Sequence, residues 1–240
     1  MTTTDLAWAA GVYDGEGSAS TYLPKRRRSR VRQMAVYQGG EGAPPSLLFR
    51  FQGIVGGTGL IHGPSRGSLY QWHSKRNVVV DAVSELLWPW LSEAKRSQLR
   101  RAASEVGRPS PDVPDAQWSR DQLVAWAAGF FDGEGSVGVY GRRHAVLMYL
   151  PQSSEAGVPD TLIRFRSATG AGRISGPRTV RSPWTKLPQY CWRSQRFAEI
   201  VDIVELLRPY SDVVKLGQMD ACLQQVRDVR TCRARQPPIA

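Results

Sequence analysis

The sequence predicts an α+β protein in which one αββαββα unit is written twice. Three observations carry that prediction. The segment at 7–18, AWAAGVYDGEGS, returns at 125–136 with two of its twelve positions changed, and later matches keep the same order. Arg50-Phe51 answers to Arg164-Phe165, Ile61-x-Gly63-Pro64 to Ile174-x-Gly176-Pro177, Tyr70-x-Trp72-x-Ser74-x-Arg76 to Tyr190-x-Trp192-x-Ser194-x-Arg196, and Glu85-Leu86-Leu87-x-Pro89 to Glu205-Leu206-Leu207-x-Pro209. Within each copy, runs of period two alternate with segments of helical density. The chain of 240 residues, 41% hydrophobic and 22% charged, is long enough for a real core and has no stretch of roughly 20 apolar residues to span a membrane. A period near 118 is too long for a solenoid. Two pseudo-symmetric halves are therefore expected, 1–106 and 119–240, joined by a Pro/Ser-rich connector at 107–118.

The elements follow in order. Residues 5–14 carry alanine and aromatics at helical spacing and run into Gly15 and Gly17, residues at which helices stop. Two strands are predicted next, around 18–23 and 31–38; in the second, Met34 and Val36 alternate with Gln33, Ala35 and Tyr37. After Pro44-Pro45 a short helix spans 46–54, and 58–62 and 69–75 form a second hairpin. Helices over 77–87 and 93–103 close the unit around Pro89, and the second copy ends with a further helix. In the fourth strand Tyr70, Trp72 and Ser74 share one face, and Gln71, His73 and Lys75 the other. Tyr190 and Trp192 against Gln189, Arg193 and Gln195 repeat the pattern. The aromatic face is expected to pack beneath helices and the polar face to stay open to a partner.

Charge names the class of partner. Lys+Arg number 32 against 21 Asp+Glu, a net +11, and only five of the cations are lysine. Arginine presents a planar fork suited to phosphate and to guanine edges, so a polyanion is expected. The run at 25–32 (KRRRSRVR) sets six cations in eight residues between the first two strands. Three cysteines without C-x-x-C pairing (191, 222, 232) indicate neither a disulfide framework nor structural zinc. The polar Met1–Asp5 start lacks a basic leader, and a cytoplasmic protein is expected. Taken singly, Asp-Gly-Glu-Gly is a glycine-terminated helix end. An EF-hand would need glycine at the sixth loop position, where Ala19 and Val137 stand, and a P-loop would need G-K-[ST]. Gly133-x-Gly135-x-x-Gly138 follows a helix rather than a strand and is broken by Ser20 in the first copy. His62, His73 and His144 lack metal-ligand spacing.

With both motifs in view, AAGVYDGEG at 9–17 and AAGFFDGEG at 127–135, the chain resembles the LAGLIDADG homing endonucleases of the single-chain, two-motif type over nearly its whole length. Both copies depart from the family at the leading leucine and carry glutamate as the eighth residue. The resemblance implies αββαββα halves whose antiparallel sheets form a DNA-binding saddle. It also implies a monomeric, divalent-metal-dependent endonuclease that makes a double-strand break at a long, asymmetric site in double-stranded DNA. By the same resemblance Glu16 and Glu134 hold Mg2+ (or Mn2+) with the backbone of Gly15 and Gly133. Gln38 and Gln152 then stand beside the metals, and Lys95 and Lys215 order the attacking solvent. DNA contacts fall to Lys25, Arg26, Arg27, Arg28, Arg30 and Arg32 in the basic run and to Arg142 and Arg143 in its counterpart. On the sheets they fall to Gln71, His73 and Lys75 in the first half and to Arg173, Gln189, Arg193 and Gln195 in the second.

Physical chemistry gives the motif its form. Ala7, Ala10 and Gly11, like Ala125, Ala128 and Gly129, recur three and four apart, so two such helices can approach closely. Each would then deliver one acid at its base. Two neighbouring carboxylates repel, which protonation or a cation relieves, and hard oxygen ligands favour magnesium. Asp14 and Asp132 are expected to buttress the helix interface rather than to ligate metal. Two alternatives stand beside the nuclease: a nucleic-acid-binding module on the same fold, and an intein-borne fragment, against which the ends of the chain show no splicing-block features. The two retained acids argue against the binding module, and a free-standing enzyme is expected.

Overall fold

The computed structural model describes residues 1–25, 28–65, 67–141, 145–179 and 187–234, with side chains as far as 231. The chain divides into two compact units, Met1–Glu134 and Gly135–Ala240. The first contains α1 (Thr3–Glu16), β1 (Gly17–Tyr22), β2 (Val31–Gly39), α2 (Ser46–Ile54), β3 (Leu60–Ser65), β4 (Leu69–Ser74), α3 (Asn77–Leu87), a 3-10 turn (Trp88–Trp90), α4 (Glu93–Ser104) and α5 (Arg120–Glu134). The second contains β5 (Ser136–Tyr140), β6 (Ala145–Ser153), α6 (Asp160–Thr169), β7 (Arg173–Arg178), β8 (Gln189–Ser194), α7 (Phe197–Leu207) and α8 (Val213–Ala234). The expected αββαββα repeat is present. Residues 107–118, expected as the connector, carry neither helix nor strand, and the compact units divide after Glu134, because α5 lies along α1.

The sheets share one topology, β1-β2-β4-β3 and β5-β6-β8-β7, with antiparallel neighbours throughout. In each, the hairpin strand that returns becomes central, so β3 and β7 are edges. That placement explains how a strand accommodates Gly-Pro: an edge position need not donate to the ladder. Gly63-Pro64 and Gly176-Pro177 are both cis, and the ladder breaks register between His62 and Ser65 and between Ser175 and Arg178. Gly63 (φ 144°) and Gly176 (φ 134°) adopt backbone that a side chain rarely takes.

Alternation along β4 buries Tyr70, Trp72 and Ser74 and leaves Gln71 and His73 half-buried on the opposite face, as the sequence predicts. The Trp72 and Phe51 rings pack edge-to-face with centroids 5.0 Å apart, and the Trp192 and Phe165 rings do so at 4.7 Å in the second unit. Helices cover the apolar faces through stripes at i, i+3 and i+7: Val80, Val83 and Leu87 on α3, Ile200, Ile203 and Leu207 on α7, all buried. Among the described residues no helix is long and apolar enough to cross a membrane.

Candidate active site

α1 and α5 approach to backbone contact. A Cβ on Gly11 would lie 2.1 Å from the carbonyl oxygen of Trp126, and one on Gly129 would lie 2.0 Å from that of Trp8. No methyl fits there, so the two glycines set the helix separation. Ala7, Ala9 and Ala10, with Ala125, Ala127 and Ala128, are wholly buried. The approach persists to the last turn: a Cβ on Gly133 would meet Glu16 Cγ at 3.0 Å, and one on Gly15 would meet Glu134 Cβ at 3.3 Å. Glu16 and Glu134 thus stand side by side, half-buried, each the final residue of its helix.

Two crossed bonds fasten these ends. The indole N–H of Trp8 donates to Asp132 at 2.8 Å, and that of Trp126 donates to Asp14 at 2.9 Å. Asp14 also accepts from the Ser92 backbone N–H and hydroxyl at 3.0 and 2.7 Å. Ser92 in turn caps α4, which carries Lys95. The expected buttressing by Asp14 and Asp132 is therefore observed. Trp8 and Trp126 were absent from the sequence-derived site; their recurrence at one offset was the signal that could have found them.

Lys95 donates through Nζ to the Gly17 carbonyl, and Lys215 donates to the Gly135 carbonyl at 2.6 Å. Each lysine thus sits on the residue that follows its motif's glutamate. Burial pushes the Lys95 ammonium below the ordinary lysine range, against the opposing attraction of Asp14, Glu134 and Glu16. Gln38 lies two positions beyond the Val36–Gly17 pair, at the end of the sheet where α1 enters it, and its buried side-chain oxygen has no hydrogen-bond partner among the described residues. Gln152 holds the matching place on β6, three beyond the Tyr149–Ser136 pair.

The chemistry of this donor set fits a divalent cation. Two carboxylates stand at the C-terminal ends of two adjacent helices, where the macrodipole is also negative, and neither last turn carries a basic residue. The Gly15 and Gly133 carbonyls belong to those last turns, whose oxygens lack intrahelical donors. Among the described residues no group of three or more His, Cys, Asp or Glu could hold a metal. Two carboxylates completed by carbonyls, water and a phosphate oxygen is the manner in which magnesium is commonly held.

The DNA-binding candidates fall in different places. Gln71 and His73 occupy the open face of the first sheet, with Lys75 exposed just beyond it. Burial, with Lys75 and His62 adding to it, holds the His73 imidazole below its usual range. Arg173 is exposed, and Gln189 and Arg193 are half-buried on the corresponding face of the second sheet, with Gln195 exposed after it. Cys191, which sequence reasoning left aside, is buried between them and meets the Ser175 hydroxyl at 3.2 Å. Lys25 and Arg28 are exposed, whereas Arg30 pairs with Glu105 at 3.2 Å. Arg32 corrects the expectation: it shares β2's inward side with Met34 and Val36, is 3% exposed, and pairs with Asp81 of α3. It is a core residue, not a phosphate contact. Arg26, Arg27, Arg142 and Arg143 lie outside the described residues.

No protein-family model matches the sequence, and no curated protein matches it. Solved structures do. The chain is similar to the LAGLIDADG homing endonuclease I-GzeII in complex with its DNA target, at 15% identity and TM-score 0.62 over 96% of this chain and 92% of that one. It is similar to the LAGLIDADG meganuclease I-AabMI bound to uncleaved DNA, at 14% identity and TM-score 0.66 over the same shares. For I-SmaMI bound to uncleaved DNA target in the presence of calcium ions the values are 15% and 0.59 over 96% and 94%. The chain has the LAGLIDADG homing endonuclease fold.

Proposed function

We propose that this protein is a site-specific DNA endonuclease that makes a magnesium-dependent double-strand break at a long, asymmetric target, acting as a monomer. The observation that carries the proposal is the placement of Glu16 and Glu134 at adjoining helix ends, each followed by a glycine whose carbonyl is held by a half-buried lysine. The fold shared with DNA-bound endonucleases supports it. Glu16 and Glu134, with the Gly15 and Gly133 carbonyls, would hold the cations. When bound, these supply an activated water and neutralise charge that develops on the phosphate. Lys95 and Lys215 would order the attacking water, a step in which Gln38 and Gln152 would assist. The open sheet faces, through Gln71, His73, Arg173, Gln189 and Arg193, contact base edges, while Lys25 and Arg28 meet phosphates.

The test is cleavage of a randomised duplex library, followed by assay of the selected site. Glu16→Gln and Glu134→Gln are each expected to lower double-strand cleavage in magnesium by about 10²-fold or more while sparing binding in calcium. Cutting by both variants at the wild-type rate overturns the proposal. Binding without cutting by the wild-type chain would instead make it a nucleic-acid-binding module.

A further inference from the structure

We infer that Trp8 and Trp126 are positioning residues that hold the two acids in a crossed arrangement, each tryptophan fixing the glutamate of the opposite motif; this rests on the nuclease proposal. Trp8 sits on α1 but donates its indole proton to Asp132 on α5, two residues before Glu134. Trp126 sits on α5 and donates to Asp14, two residues before Glu16. Both indoles and both carboxylates are almost wholly buried, so each bond acts where water cannot replace it. The rings themselves are restrained: the Arg50 guanidinium lies 3.8 Å from the Trp8 ring centroid, and Trp126 stacks on Phe130 at 5.1 Å.

The arrangement follows from the helix geometry. Gly11 rests against the carbonyl of Trp126 and Gly129 against that of Trp8, so each tryptophan's backbone is a contact point of the close approach. From that point its side chain reaches along the neighbouring helix toward the last turn. An ordinary packing tryptophan would need no acid partner. Here a buried carboxylate stands at the end of each, one turn's fraction from the acid, so displacement of Asp132 moves Glu134 and displacement of Asp14 moves Glu16. Each site's geometry then depends on a side chain from the other repeat.

The test is strand-resolved cleavage of a supercoiled plasmid carrying a site selected by the wild-type chain. Trp8→Phe, which keeps an aromatic ring and removes the donor, is expected to slow the cut nearer Glu134 about tenfold more than the other, so that nicked circles accumulate. Trp126→Phe is expected to give the opposite strand bias. A merely structural role would slow both strands alike, and equal slowing, or none, overturns the inference. Asp132→Asn keeps an oxygen to accept the indole proton and is expected to retain more strand balance than Asp132→Ala. Without DNA or metal, the Trp8 indole N–H resonance is expected to be protected from exchange in the wild type and in Asp132→Asn, and exposed in Asp132→Ala. Unaltered protection in Asp132→Ala overturns the clamp by itself. A wild-type chain that cuts neither strand sinks the nuclease proposal, while the indole resonance still decides whether the clamp exists.

Discussion

Gly11 and Gly15 sit one turn apart on the same helix and ask different things of their surroundings. At Gly11 an added methyl meets the backbone oxygen of Trp126 at 2.1 Å, and backbone in a packed helix pair has nowhere to go. Gly11→Ala, like Gly129→Ala, is expected to cost about 3 kcal/mol or more, read as a loss of the midpoint in thermal or urea unfolding. At Gly15 the nearest atoms are Glu134 Cβ and N at 3.3 and 3.4 Å, a contact that a few tenths of an ångström relieve. Alanine also favours the helix there by roughly 0.5–1 kcal/mol over glycine. Gly15→Ala should therefore fold nearly as well as the parent yet displace Glu134, with cleavage falling about tenfold or more. Equal unfolding midpoints for the two variants would show that the glycines do not divide in this way. Gly17 is a third case. It caps α1 in extended backbone (φ −77°), and a Cβ there would strike the Tyr13 ring at 2.3 Å. The sequence marks it as a helix stop; the structure shows that it is small because an aromatic ring covers it.

Elements were legible where a period was long and repeated, and less so where a neighbour decided. The β1, β2 and β4 ranges, α2 and α3 match their expected positions closely, because alternation and apolar spacing are properties of the segment itself. β3 runs over Leu60–Ser65 rather than 58–62, since Gly59 turns with positive φ, the Thr58 carbonyl accepts the Trp72 indole, and an edge strand tolerates Gly63-Pro64. Neither the edge position nor the indole is visible in a local window. In the candidate site, the acids and both aspartates were readable from the duplicated motif, whereas the tryptophan bonds needed the partner helix to be in place. Arg32 was misread for a related reason: inside a run of cations its parity with Met34 and Val36 outweighs its charge. That parity has a measurable consequence. Burial alone would raise the Asp81 carboxyl, but its bonds to Arg32 and Arg108 prevail and hold it below the usual range. A carboxylate with a lowered folded pKa stabilises above its unfolded value near 4 and loses that contribution as pH falls through the folded value. Arg32→Met, which preserves volume, is expected to cost about 1–3 kcal/mol at pH 7 and less at pH 3, as read by urea unfolding at both. A cost that does not shrink in acid would mean that the ion pair is not what Arg32 contributes.

At the scale of the whole molecule the two repeats keep one fold but present different chemistry. At the same register position, the first sheet pairs exposed Leu60 with His73 and the second pairs Arg173 with Arg193. A leucine beside a neutral imidazole suits a thymine methyl and a weak polar edge, whereas paired guanidinium groups suit guanine. On the proposed function one chain would carry both reading surfaces, so its target need not be a palindrome, as a symmetric dimer's must. Arg193→Gln should therefore relax base preference in one half-site only, at a cost of about 1–3 kcal/mol there, and His73→Ala should do so in the other. The net charge of +11 adds a term blind to sequence. If about six phosphates are neutralised, log affinity should fall with log salt at a slope of roughly −5, and Lys25→Ala should make that slope shallower by about one without altering base preference. These terms separate in one experiment: competition in calcium between the selected target and the two palindromes built from its half-sites, repeated over a range of salt. Both palindromes are expected to bind about tenfold or more weakly at every salt concentration, while all three duplexes share a single slope. A palindrome that competes as well as the selected target would mean that the difference between Leu60/His73 and Arg173/Arg193 is not used to read DNA.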